Sequence, residues 1–252
     1  MINIFLYTDS PSESFDINKL ISFLSNFNFN FQNRDDLLDF LMLDEQAAAD
    51  YESFLNAIIV RDIDKPLDKI NRKTEYSEPS GNTKGKTLFD GYWLQRKLYT
   101  YLFSEINSEE TENNNLHLII SGKLFGTYGT KRYHARVLLT GEPAMISTSG
   151  IVEAPARPRE YYYVKANLLS MGKKTDELDE IYKGRFVEYN DPKITDILCS
   201  YVLQIIKGKL TGDPFCQNSD CCLYNSHWQE ELLNLQYKHE YCEECSSILE
   251  SN

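Results

Sequence analysis

Apolar and polar positions alternate between two periods along this chain, and the switches mark its elements. Ile2 to Tyr7 is an apolar run too short for a secretion signal, with no basic flank before it, and predicts a first strand. Ile17, Leu20, Ile21, Phe23 and Leu24 then recur at helical spacing. Asp35 to Leu43 and Ala47 to Leu55 read as a short helical region, and Ala57 to Val60 as a buried strand. Residues 65–86 are polar and carry Pro66, Pro79, Gly81 and Gly85, which predicts a loop insertion. A helix opens at Asp90 or Gly91 and runs through Phe103, with Trp93, Leu94, Leu98 and Leu102 to one side; Ser108 to Asn115 is an acidic surface loop.

Three strand-like runs follow, Leu116–Ile120, Ala135–Leu139 and Ala144–Thr148, separated by turns at Gly122, Gly126, Gly129 and Gly141. Tyr161–Leu169 turns helical. Asp191-Pro192 is a helix start, with Asp capping and Pro at the first helical position. Ile194, Ile197, Leu198, Tyr201, Val202, Ile205 and Ile206 then form one deeply buried face, ending at Gly208 or Gly212. Ser226-x-x-Gln229 reads as a capping box for a last helix reaching about Tyr237. The order predicts a mixed α/β domain over 1–212 and a cysteine-bearing tail over 213–252 packed on the same domain.

Charge narrows the partners. A formal net charge of -12 argues against a nucleic-acid backbone, and the densest basic stretch, Lys123 to Arg136, is diluted by glycine and aromatics. No run of eighteen apolar residues occurs, so no membrane span is expected, and a cytoplasmic protein is the simplest reading.

The six cysteines all lie at or beyond 199, at 199, 216, 221, 222, 242 and 245. Disulfides would be spread through a small secreted domain; clustering in a chain without a signal points to metal. Cys216-x-x-x-x-Cys221 and Cys242-x-x-Cys245, with a helix between them, have the paired spacing of a tetrahedral thiolate site. A closed four-thiolate site holds one structural zinc ion. Cys222 and His239 stand close enough in sequence to be substitute ligands, and Cys199, on the buried helix, reads as a small core residue.

From Tyr201 to Leu249 the chain resembles the end of the archaemetzincins, zinc peptidases that carry HExxHxxGxxHC, four residues, a second Cys, a helical stretch and C-x-x-C. Cys216, Cys221, Cys242 and Cys245 fall on that family's structural-zinc cysteines, and Gly212 on the glycine of its motif. Leu223 stands where the family has a methionine. The positions of the three ligand histidines hold Ile205, Lys209 and Phe215, and the position of the general base holds Ile206. The segments 132–162 and 211–236 are also similar to an uncharacterised archaeal family that carries a metallopeptidase label. The resemblance implies a metzincin-like α/β fold with a twisted mixed sheet, packed helices and a C-terminal four-cysteine zinc knuckle. It does not imply peptidase activity: isoleucine and phenylalanine cannot coordinate zinc, and a protonated lysine repels it.

Other chemistry must come from elsewhere in the chain. The four histidines, at 117, 134, 227 and 239, share no i, i+4 spacing. His117 reads as a core or edge histidine, and His227 as a first-turn residue beside the knuckle. His134, Glu153 and Glu160 are candidates for a relocated metal-dependent hydrolase site. Arg157 and Arg159, beside Pro155 and Pro158, are candidates to grip a small carboxylate or phosphate, and an ion-paired surface loop explains the same residues. Ser147-Thr148-Ser149-Gly150 lacks the elbow of a serine nucleophile. Three functions therefore stand: an inactive peptidase relative whose cleft takes a peptide or protein, a relocated hydrolase, or a binder of an anionic small molecule.

Overall fold

A computed structural model describes residues 2–9, 15–67, 87–175 and 177–250. Most of the predicted loop insertion, 68–86, lies outside the described residues. Those described divide into two compact units, one of 2–9, 24–67 and 87–150, the other of 15–23, 151–175 and 177–250. The cysteine tail thus shares its unit with the long buried helix that precedes it.

The first unit is built on a five-stranded mixed sheet. Its strands are β1 (Asn3–Thr8), β2 (Asn30–Asp36), β4 (Asn115–Ser121), β7 (Leu138–Leu139) and β8 (Ala144–Ser147), in the order β2-β1-β4-β8-β7. The first four in that order run parallel, and β7 pairs antiparallel with β8. A second sheet orders β3 (Leu88–Asp90), β5 (Leu124–Gly129) and β6 (Arg132–Arg136) as β3-β5-β6. β4 is buried on both faces, as its continuous Leu-His-Leu-Ile-Ile run requires.

Three expectations change here. Asn30–Asp36, polar and half-exposed, is an edge strand and leaves no apolar alternation to read. The Ala57–Val60 strand reduces to one bridge, Ile59 to Phe89, because α3 (Glu45–Ala57) runs to its edge and Ile58 caps it. Gly126 and Gly129 are strand residues of β5 rather than turns; a Cβ at Gly126 would press on the carbonyl of His134 across the ladder.

Helix α4 (Gly91–Glu105) lays Leu94, Leu98 and Leu102 into a core with Tyr7, Tyr51, Ile58, Ile119, Phe125 and Met145. Each successive leucine is one turn further along the same side, so the stripe stays buried over three turns. Asp90 fixes its start: one carboxylate oxygen accepts from Trp93 N at 3.0 Å, and the other accepts from the buried Tyr133 hydroxyl at 2.6 Å. The short helix α2 (Leu37–Phe40) is capped in the same way by Asp36.

His117 is the core histidine that its place in a strand predicts. Its Nδ1 meets the Tyr7 hydroxyl at 3.1 Å and its Nε2 meets the Glu110 carbonyl at 3.1 Å, while its ring stacks on Phe5. Burial holds its pKa below that of a free histidine. A folded-state pKa below the unfolded value contributes stability above the unfolded pKa of about 6.5, which is lost as pH falls through the folded value. Unfolding in urea should therefore become easier below about pH 6.5. A His117→Gln variant, less stable overall, should show a flatter profile there.

The second unit centres on α8 (Lys193–Thr211), with α1 (Ile17–Leu24), α5 (Thr148–Glu153, which begins in the first unit), α6 (Arg159–Ser170), α7 (Leu178–Ile181), α9 (Gln229–Asn234) and α10 (Glu243–Glu250). Asp191 caps α8 through Lys193 N at 3.0 Å, and Pro192 already has helical dihedrals. Gly212 ends it in the left-handed region, φ 83°. Burial goes further than one face: from Ile194 to Lys207 every residue but Asp196 is buried. Along α8, Ser200, Gln204 and Lys207 form a polar stripe at i, i+4, i+7 that the apolar pattern hid. No helix among the described residues is long and apolar enough to cross a membrane.

Candidate metal centre

The tail is folded onto the polar stripe of α8. Ser200 Oγ donates to the Gln236 carbonyl at 2.7 Å, and Gln204 Nε2 donates to the Tyr224 carbonyl at 3.1 Å. The buried Lys207 ammonium donates to the carbonyls of Asp213 and Phe215, at 2.8 and 2.9 Å. Gly208 leaves room for Pro214; a Cβ there would sit 3.2 Å from the proline ring. These contacts turn the chain sharply after Gly212 and set Cys216 at the base of the helix.

Cys216 begins a knuckle closed by backbone bonds. Its N–H donates to the Leu223 carbonyl at 2.9 Å, and Cys221 N and Tyr224 N close the turns at Asn218 and Cys221. The fold aims two more N–H groups at sulfur: Asn218 N at Cys216 Sγ, 3.4 Å, and Leu223 N at Cys221 Sγ, 3.5 Å. Amides aimed in this way stabilise thiolates. The second pair lies where α10 starts, Cys242 just before it and Cys245 in its first turn. A separate α10 was missed in the sequence because Glu243–Glu250 offers only two buried residues, Cys245 and Leu249.

The four sulfurs lie within 4.8 Å of one another, with Cys216 Sγ and Cys242 Sγ 3.7 Å apart. Sulfurs about 2.3 Å from one zinc stand about 3.8 Å from each other in a tetrahedron, so the cluster fits that ion. Three of the cysteines are buried and Cys242 is half-buried. The Cys221 thiol is drawn down to about 4, first by the Cys222 thiol that donates to it and then by backbone N–H groups. Burial pushes Cys216 and Cys245 upward. Cys222 stands outside the cluster and supports Cys221. His239 also stands outside: its ring packs on Phe23 and its Nε2 lies 3.9 Å from Asp196.

The expected capping box at Ser226 and Gln229 is not formed. Glu231 caps α9, accepting from His227 N and Trp228 N at 2.7 and 3.1 Å. Ser226 instead donates to Gln236 Oε1, and the fully buried Gln229 donates to the carbonyls of Ile151 and Val152. Both side chains satisfy buried groups of the scaffold, which outweighs local capping. His227 is exposed.

A family model described as "Probable metallopeptidase family" (DUF6775) matches residues 1–252. The chain belongs to this family. Its fold is similar to that of a zinc-dependent peptidase from Methanocorpusculum labreanum (strain Z), at 13% identity and a TM-score of 0.51, with 98% of this chain and 99% of that one covered. An archaemetzincin from Methanopyrus kandleri also matches, at 10% identity and a TM-score of 0.44, covering 98% and 93%. No curated protein matches the sequence. This DUF6775 chain thus has a mixed α/β fold like that of the zinc-dependent peptidase, with a four-cysteine cluster able to bind metal.

At the positions that the resemblance aligned with the peptidase motif, Ile205 and Ile206 are buried in α8, while Lys209 and Phe215 are half-buried. The other candidates have partners of their own. His134 belongs to the first unit and donates from Nε2 to the Gly129 carbonyl at 2.9 Å. Glu153, in the second unit, accepts from the Tyr189 hydroxyl at 2.7 Å, and Glu160 pairs with Arg185 at 3.2 Å. Among the described residues, no metal-capable group includes His134, Glu153 or Glu160. Arg157 is paired with Asp179 at 2.6 Å and stacks on Phe186 at 4.0 Å. Arg159 lies over Trp228 at 5.0 Å, beside Glu160, Glu230 and Glu231 in a cavity of about 230 Å³ whose acidic lining disfavours an anion.

Proposed function

We propose that this member of the family does not hydrolyse peptides. It keeps one structural zinc on Cys216, Cys221, Cys242 and Cys245 and acts in the cytoplasm as a peptide or protein binder, with neither a nucleic-acid nor a membrane partner. The carrying observation is the pairing of a complete thiolate tetrad with Ile205, Ile206, Lys209 and Phe215 at the motif positions. A catalytic zinc needs an open coordination position for water and a nearby base; four thiolates fill the tetrahedron. Bound zinc would crosslink the knuckle at Cys216 and Cys221 to the start of α10. A reducing compartment would keep those thiols free for metal.

The test is metal content together with hydrolysis. Purified protein should carry one zinc per chain, lose it in Cys242→Ser, and leave a mixed peptide library uncut, with or without added zinc. Library peptides should nevertheless be retained by immobilised protein. A second metal that survives Cys242→Ser and is lost with His134→Ala would favour the relocated hydrolase instead.

A further inference from the structure

The first unit holds a cavity unrelated to the cysteine cluster. It has a volume of about 400 Å³ and lies between β2 and the end of α4, with Gln32, Arg34, Asp35, Phe40, Glu105, Ile106, Asn107 and Glu110 in its lining. That volume falls at the small end of the range for ligand pockets, about 300–1,000 Å³. The Arg34 guanidinium sits 4.4 Å over Phe5 and 5.0 Å from Phe40, and it donates from Nη1 to the Tyr7 hydroxyl at 3.0 Å and Glu110 at 2.7 Å. Glu110 answers the charge of Arg34 directly. Asp35 and Glu105 stand exposed at the mouth, so carboxylates outnumber the guanidinium three to one. Phe40 and Ile106 supply an apolar wall for an alkyl stem.

Position in the sheet supplies the second argument. Among the described residues β2 pairs on one side alone, with β1. An extended peptide can add to such an edge, and a residue placed opposite Gln32 or Arg34 projects to the same face as they do. That face opens into the cavity, because Gln32 and Arg34 both line it.

We infer that the cavity is a specificity pocket for the arginine or lysine side chain of a peptide added to the β2 edge. This rests on the peptide-binding reading above and gives it a site and a substrate class. The stem lies along Phe40 and Ile106, and the cationic head meets Glu105 and Asp35. The excess negative charge excludes an acidic residue at the same place.

Calorimetry with a blocked pentapeptide bearing arginine at its centre, and with its citrulline and glutamate counterparts, tests this. The arginine peptide should bind about tenfold more tightly than the citrulline peptide, and the glutamate peptide should not bind. The combined variant Asp35→Asn, Glu105→Gln should remove the difference. Asparagine suits the left-handed backbone of Asp35, φ 52°, so the fold should survive. Equal binding of the arginine and citrulline peptides, or an arginine affinity unchanged in the variant, overturns the assignment. If the pentapeptides fail while immobilised protein still retains library peptides, the pocket is wrong and peptide binding stands. If nothing is retained, both are wrong.

Discussion

Cys245→Ser should leave the protein without zinc and unfold the tail around it. Cys245 is fully buried in the first turn of α10, and its sulfur is one of the four that lie within 4.8 Å. Removing it takes away both a ligand and the link between α10 and the knuckle. Structural zinc sites contribute folding energy directly, so a loss of at least about 4 kcal/mol is expected in denaturant titrations followed through the second unit. Metal analysis should read background zinc, and hydrogen exchange should rise over 213–250. Cys199→Ser is the control. Burial pushes that thiol up to about 12, it lies outside the cluster, and its replacement should leave zinc content unchanged.

The second large effect is expected at Lys207. Its ammonium is buried and supplies the donors for the Asp213 and Phe215 carbonyls on the turn into Cys216. Lys207→Met keeps the stem and removes both charge-assisted bonds, leaving two carbonyls without those donors. Each such bond is worth about 1.5–3 kcal/mol, so a destabilisation of about 2–4 kcal/mol follows after partial relaxation. Zinc should also leave faster to a competing chelator, because Cys216 is no longer held at the base of α8. If stability falls while the chelator rate is unchanged, Lys207 supports α8 alone and does not position the knuckle.

How much of this could be read from residues depended on whether a signal was local. The tetrad was legible because metal ligands come in fixed spacings, and the two pairs stand in the structure as their spacing requires. Helices α4 and α8 were legible from apolar period, and α8 also from capping chemistry at Asp191. β2 and β5 were not, since one is a polar edge and the other carries two glycines inside a strand. The polar stripe of α8 was hidden for a different reason. Serine, glutamine and lysine at 200, 204 and 207 look like a solvent face, and only the folded tail shows that they meet buried carbonyls. The Arg34 cavity joins residues from β2, α2, α4 and the 107–110 turn, so no contiguous pattern announces it.

The burial of Ile205 and Ile206 also constrains what these two positions can accept. A histidine placed at 205 would set a polar ring in an apolar shell, with no second donor at 209 or 215 to share a metal. On the proposed reading, a histidine metal site here would need coordinated replacement at 205, 206, 209 and 215, and each polar group set at 205 or 206 alone would weaken the packing of α8.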